Sequence, residues 1–117
     1  MKFSIPEIPP SWNRYAGRQN SWEYRREKQR WSELVQLAVI CSGKRPAKAY
    51  AKAQVRITYF FPTKGRRDPD NYSGKFILDG LTAAGIIADD SFGCIDLVLA
   101  GRVDRKEPRT EIIIKEV

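Results

Sequence analysis

Histidine is absent from this 117-residue chain. That single absence removes imidazole general acid/base chemistry, serine–histidine triads and histidine-ligated metals together. Cysteine is scarce as well. Cys41 and Cys94 are the only two, so a four-thiolate zinc site within one chain is excluded, and the pair reads as reduced, buried residues of a cytoplasmic protein. No apolar run approaches the ~18 residues of a membrane span, and the opening MKFSIPEIPP lacks the apolar stretch of a secretion signal, so no membrane partner is expected. Aspartate is missing from residues 1 to 67 altogether.

What is present is positive charge. There are 21 Lys+Arg against 14 Asp+Glu, a formal net charge of +7, which favours a polyanionic partner such as nucleic acid. The excess lies early: residues 1 to 50 carry ten Lys/Arg and four Glu, whereas residues 51 to 117 carry eleven and ten acids. The length and a 42% hydrophobic content suit one domain spanning residues 1–117.

Periodicity organises that domain. MKFSIPEIP reads as a short strand ended by Pro9-Pro10, followed by a polar-aromatic loop holding Trp12, Asn13, Arg14, Tyr15 and Arg18. Asn20 and Glu23 form a capping box for a helix that runs to about Ser42 and stops at Gly43. Its apolar stripe is Tyr24, Trp31, Leu34, Val35, Leu37 and Ala38. In YAKAQVRITYFF, Ala53, Val55, Ile57, Tyr59 and Phe61 alternate with Gln54, Arg56 and Thr58, the mark of a half-buried strand. A second helix is expected from about Pro69 to Ala84, burying Phe76, Ile77, Leu81 and Ala84, with Gly74 and Gly80 allowing close packing. FGCIDLVLA and TEIIIKEV are two more strands, expected to pair antiparallel across GRVDRKEPR. The order β-α-β-α-β-β predicts an α+β domain with helices packed on a mixed or antiparallel sheet.

Asp68, Asp70, Asp79, Asp89 and Asp90 crowd one segment, beside Lys64, Arg66 and Arg67. Pro69 biases Asp68 toward extended geometry and suits the first helical position. Asp68 would then be an N-cap and Asp70 would lie in the first turn, both projecting from one helix end. Capping alone would account for both acids. If the chain after the helix turns back beside it, Asp89 or Asp90 approaches them, and three carboxylates suit a hard cation such as Mg2+ or Mn2+. The neighbouring cations would then offset the repulsion between these acids and a phosphodiester. Lys75 could meet a phosphate or leaving oxygen, or simply pair with Asp79 four residues on. Trp12, Tyr15 and Trp22, interleaved with Arg14 and Arg18, could stack on splayed bases or fold over the core.

On RRDPDN, Lys75, DGL at 79–81, AGII, DDS at 89–91 and the earlier PPSWNRYAG, the chain resembles the RusA family of Holliday junction resolvases, common in phages and prophages. The resemblance spans nearly the whole chain. It implies a homodimer that binds four-way DNA junctions and nicks opposing strands with Mg2+ or Mn2+. It places the catalytic and metal-holding acids at Asp68, Asp70 and Asp90 and the basic catalytic residue at Lys75. Lys64, Arg66, Arg67, Asn13 and Arg14 are the residues expected to meet DNA, and Asp79, although it matches a family acid, is expected to be structural. The competing expectation is a non-catalytic nucleic-acid-binding protein whose aspartates cap helices and tie down arginines.

Overall fold

The computed structural model describes residues 1–15, 17 and 21–117. Its elements are β1 (Lys2–Ile5), a 3-10 turn (Trp12–Tyr15), α1 (Trp22–Ser42), β2 (Ala53–Phe61), a 3-10 turn (Pro69–Asn71), α2 (Lys75–Ala83), β3 (Ile95–Val103) and β4 (Arg109–Glu116). The predicted α+β class and element order hold. Alternation along the strands sets one buried sheet face: Ala53, Val55, Ile57, Tyr59 and Phe61 of β2 meet Thr110, Ile112 and Ile114 of β4 and Phe3 and Ile5 of β1. Both helices pack on that face.

The sheet order is β1-β4-β2-β3, with β2 and β3 parallel and the other pairs antiparallel. The antiparallel pairing expected between the last two strands is therefore not formed, because β2 lies between them. The reason is α2, which carries the chain across between β2 and β3 and returns it parallel. Thr110, Ile112 and Ile114 then need neighbours on both sides, which β4 finds between β1 and β2. Strand β3, with only Ile95 buried, takes the edge.

Helix α1 buries Tyr24, Trp31, Val35 and Val39, and Leu34 and Ala38 pack beside them. Leu37, expected in this stripe, is exposed, since it lies roughly 200° around the helix from Val35. The same rotation exposes Cys41 relative to Val39, and Cys94 is half-buried; both thiols are free, but neither is the buried residue expected. Ser21 caps the helix, its Oγ accepting from the Tyr24 N–H at 3.2 Å, while the expected cap Asn20 and the loop residue Arg18 lie outside the described residues. Gly43 closes it in the left-handed region (φ 69°).

The second helix is shorter than predicted. Tyr72 leaves helical geometry and Gly74 turns left-handed (φ 84°), so the Pro69–Asn71 turn and α2 are separate pieces. A Cβ on Gly74 would also stand 2.7 Å from Ile57 Cδ1, so both backbone and space demand glycine there. Gly80 lets α2 close onto α1, where a Cβ would come within 2.9 Å of Val35. No helix among the described residues is long and apolar enough to cross a membrane.

Candidate functional site

Two groups of predicted residues flank the start of α2. The first grows out of the end of β2. Pro69 holds Asp68 extended (φ −101°, ψ 139°), and the turn closes through Asn71 N–H to Asp68 O (3.0 Å) and Tyr72 N–H to Pro69 O (3.1 Å). The Asp68 side chain caps nothing; its Oδ1 accepts from Arg66 Nε at 3.1 Å. Asp70 projects from the turn, exposed. Arg67 is tied back, donating to Thr63 O (2.8 Å) and Thr63 Oγ1 (3.0 Å) with its guanidinium 4.3 Å from the Phe61 ring centre. Lys64 and Arg66 remain exposed on the same loop. Tyr72 staples the turn to the sheet, its ring 5.1 Å from Phe61 and 5.7 Å from Tyr59.

The second group surrounds Lys75, the first residue of α2. Its Nζ donates to Asp79 Oδ1 at 3.1 Å, and Lys28 Nζ lies 3.9 Å from Asp79 Oδ2. Past the helix, Gly85 N–H donates to Thr82 O and Ile86 N–H to Leu81 O, a Schellman ending, while Arg45 Nη2 donates to Ala84 O. Tyr50 then pairs with the outgoing chain through Ile86 and Ala88, which leads to exposed Asp89 and half-buried Asp90. The bond to Asp79 raises the Lys75 pKa, burial opposes it, and the charges of Asp79 and Asp90 add to the rise. Asp90 therefore lies within electrostatic reach of Lys75, whereas the expected gathering of Asp89 or Asp90 with Asp68 and Asp70 into a three-carboxylate group is not seen among the described residues. Asp79 lies between two lysines, and its Oδ2 is buried without a hydrogen-bond partner among the described residues.

Asn13 and Arg14 sit on the first 3-10 turn, which packs against the turn bearing Asp70. Of the aromatics considered for stacking on bases, Tyr15 is buried and Trp12 packs against Tyr24 and Phe76 in the core. Trp22 stays exposed, with Arg26 4.4 Å over its ring. The fold thus pairs Arg66 with Asp68, and the charge of Asp90 is felt at Lys75. Among the described residues, however, no three carboxylate or thiol groups form a ready cage for an ion. The donor chemistry still suits Mg2+, which is held by one or two carboxylates and completed by water and substrate phosphate. Asp70 is exposed, and Asp68 commits only one oxygen to its arginine. What sequence reasoning missed is Tyr72 with Tyr59 and Phe61. Its signal was an aromatic directly after DPDN and two more at alternate positions closing the preceding strand.

A family model described as endodeoxyribonuclease RusA matches residues 5–115 of this chain. No curated protein matches it.

Proposed function

The chain belongs to the RusA family of endodeoxyribonucleases, and on that premise we propose that it is a metal-dependent enzyme resolving four-way DNA junctions by paired nicks, in recombination and repair in the cytoplasm. The observation that carries this reading is the exposed acidic turn at Asp68 and Asp70, set among exposed cations in a chain with net charge +7. Asp68, Asp70 and Asp90 would hold Mg2+, with Mn2+ as a substitute. When bound, such an ion would supply Lewis acidity toward a phosphoryl oxygen. Lys64 and Arg66, with the Asn13–Arg14 turn alongside, would meet the DNA backbone and offset the charge of the acids; Arg67, pinned to Thr63, would add a fixed positive charge behind Asp68. A homodimer would match the approximate two-fold symmetry of the junction and cut both strands.

Lys75 would steady the phosphate or the leaving oxygen as a cation. Its pKa is raised chiefly by the bond to Asp79, so the charge persists below the raised value and is lost only as pH climbs through it. Asp79→Asn removes that first cause, and the alkaline limb of the nicking profile should move to lower pH. An unmoved limb would disconnect Lys75 from the reaction.

The function itself is tested by offering a mobile four-way junction and a linear duplex of equal length with Mg2+, Mn2+ or EDTA. Paired, metal-dependent cuts confined to the junction are expected. Tight binding without cuts under every condition would instead make this a DNA-binding protein whose aspartates are structural.

A further inference from the structure

Beside the acidic turn, at the carboxyl ends of the parallel strands β2 and β3, lies a hollow of about 70 Å³. Crevices at this end of parallel strands are where open sheets take ligands. Tyr59, Phe61 and Tyr72 supply aromatic walls, Leu99 and Gly101 close the β3 side, and Asp68 stands at the mouth.

Three features of the hollow are unexplained by folding alone. Tyr72 is half-buried, meets Phe61 nearly edge-on, 5.1 Å between centres and 74° between planes, and meets Tyr59 tilted at 5.7 Å and 58°, so it is stacked face to face on neither ring. The Tyr59 side chain is 3% exposed, yet its hydroxyl has no hydrogen-bond partner among the described residues. Buried tyrosine hydroxyls normally find one. Gly101 sits in regular strand without positive φ, so its backbone does not require glycine; a Cβ there would stand 3.5 Å from Phe61 Cε2, over the edge of that ring. Glycine keeps the mouth open.

We propose that this hollow is a nucleobase slot, which receives one unstacked base next to the phosphate to be cut. The proposal rests on the nuclease reading above, since Asp68 belongs to both the slot and the acids assigned to the ion. The base would lie against Tyr72, and its polar edge would meet the Tyr59 hydroxyl. At about 70 Å³ the slot admits the edge of a single base and no stacked pair. Aromatic faces accept any base, whereas an unpaired buried hydroxyl discriminates among base edges. Tyr59 would therefore set which nucleotide is preferred at the cut, and Tyr72 would set how firmly it is held. A junction suits such a slot because bases at its branch point are already partly unstacked and cost little to extrude.

The test places 2-aminopurine, one position at a time, around the branch point of a four-way junction, bound in EDTA so that no chemistry occurs. Wild type and Tyr72→Phe should change the fluorescence at one position, whereas Tyr72→Leu and the slot-filling Gly101→Val should not. An abasic nucleotide at that position should weaken wild-type binding roughly tenfold and leave Gly101→Val binding unchanged, since its slot is already closed. With Mg2+, Tyr59→Phe should alter the distribution of cut sites on an unmodified junction. Thermal melting checks that each variant folds. No fluorescence change at any position, or an abasic penalty equally large in Gly101→Val, overturns the slot while normal nicking leaves the nuclease reading standing. Absence of junction binding by wild type removes both.

Discussion

Asp70→Asn is expected to lose more than about 100-fold in junction nicking while keeping wild-type affinity for the junction. Replacing even an indirect supporter of a metal ligand typically costs 10- to 100-fold, and a direct ligand should cost at least that. The substitution is structurally quiet for stated reasons. The turn is closed by the backbone bonds from Asn71 to Asp68 and from Tyr72 to Pro69, and it is stapled to the sheet by the Tyr72 ring. None of these uses the Asp70 carboxylate. Unfolding free energy should thus change by no more than about 0.5 kcal/mol, as for other exposed substitutions. Affinity should hold or improve, because one negative charge is removed beside incoming phosphates. Gel-shift titration, nicking and urea unfolding of the same preparation separate these effects. Full nicking activity in this variant would sink the assignment of the acidic turn to catalysis.

Trp31→Ala should destabilise the fold by about 3–5 kcal/mol, a large share of the ~5–15 kcal/mol that holds a domain of this size. The Trp31 side chain is fully buried at the centre of the α1 stripe, and its indole N–H donates to Glu27 Oε1 at 3.2 Å. Truncation would leave a cavity between α1 and the sheet and take away the partner of that carboxylate oxygen, which Arg30 Nη1 also meets at 2.9 Å. Leu37→Ser, on the opposite side of the same helix, is the matched control and should fall within about 0.5 kcal/mol of wild type. Equilibrium urea denaturation distinguishes them; comparable losses in both variants would mean that the buried stripe of α1 is misplaced.

Much of this architecture was legible because local patterns dictated it. The alternation from Ala53 to Phe61 named the buried face of β2 residue by residue, and Gly43 marked the end of α1. Leu37 was misplaced because an apolar residue adjacent to a stripe looks like part of it until the stripe's direction is fixed by Trp31, Val35 and Val39. Partner choice among the strands depends on long-range packing, which no window of sequence contains. The antiparallel pairing across GRVDRKEPR looked natural locally, yet β2 displaced it. At the site, the aspartate island was conspicuous and the extended geometry of Asp68 followed from Pro69. The break between the acidic turn and α2 came from the left-handed Gly74 and its contact with Ile57, a tertiary constraint. Tyr72 escaped notice because an isolated tyrosine signals little until the rings of Tyr59 and Phe61 are seen beside it.

The position of β4 has a consequence for how the molecule is made. The last element in chain order occupies the interior of the sheet, where Ile112 faces Phe3 on one side and Ile57 on the other. Until β4 arrives, β1 has no strand to pair with and β2 has only β3. Joining β1 to β4 brings together residues more than a hundred positions apart, as Lys2 opposite Ile113 illustrates, and pairings of such long range are slow to nucleate because loop closure must precede any reward. The helices and the β2–α2–β3 unit can organise early from nearer contacts. If closure waits on insertion of β4, the edges of β1 and β2 stay open to pairing with other chains until then.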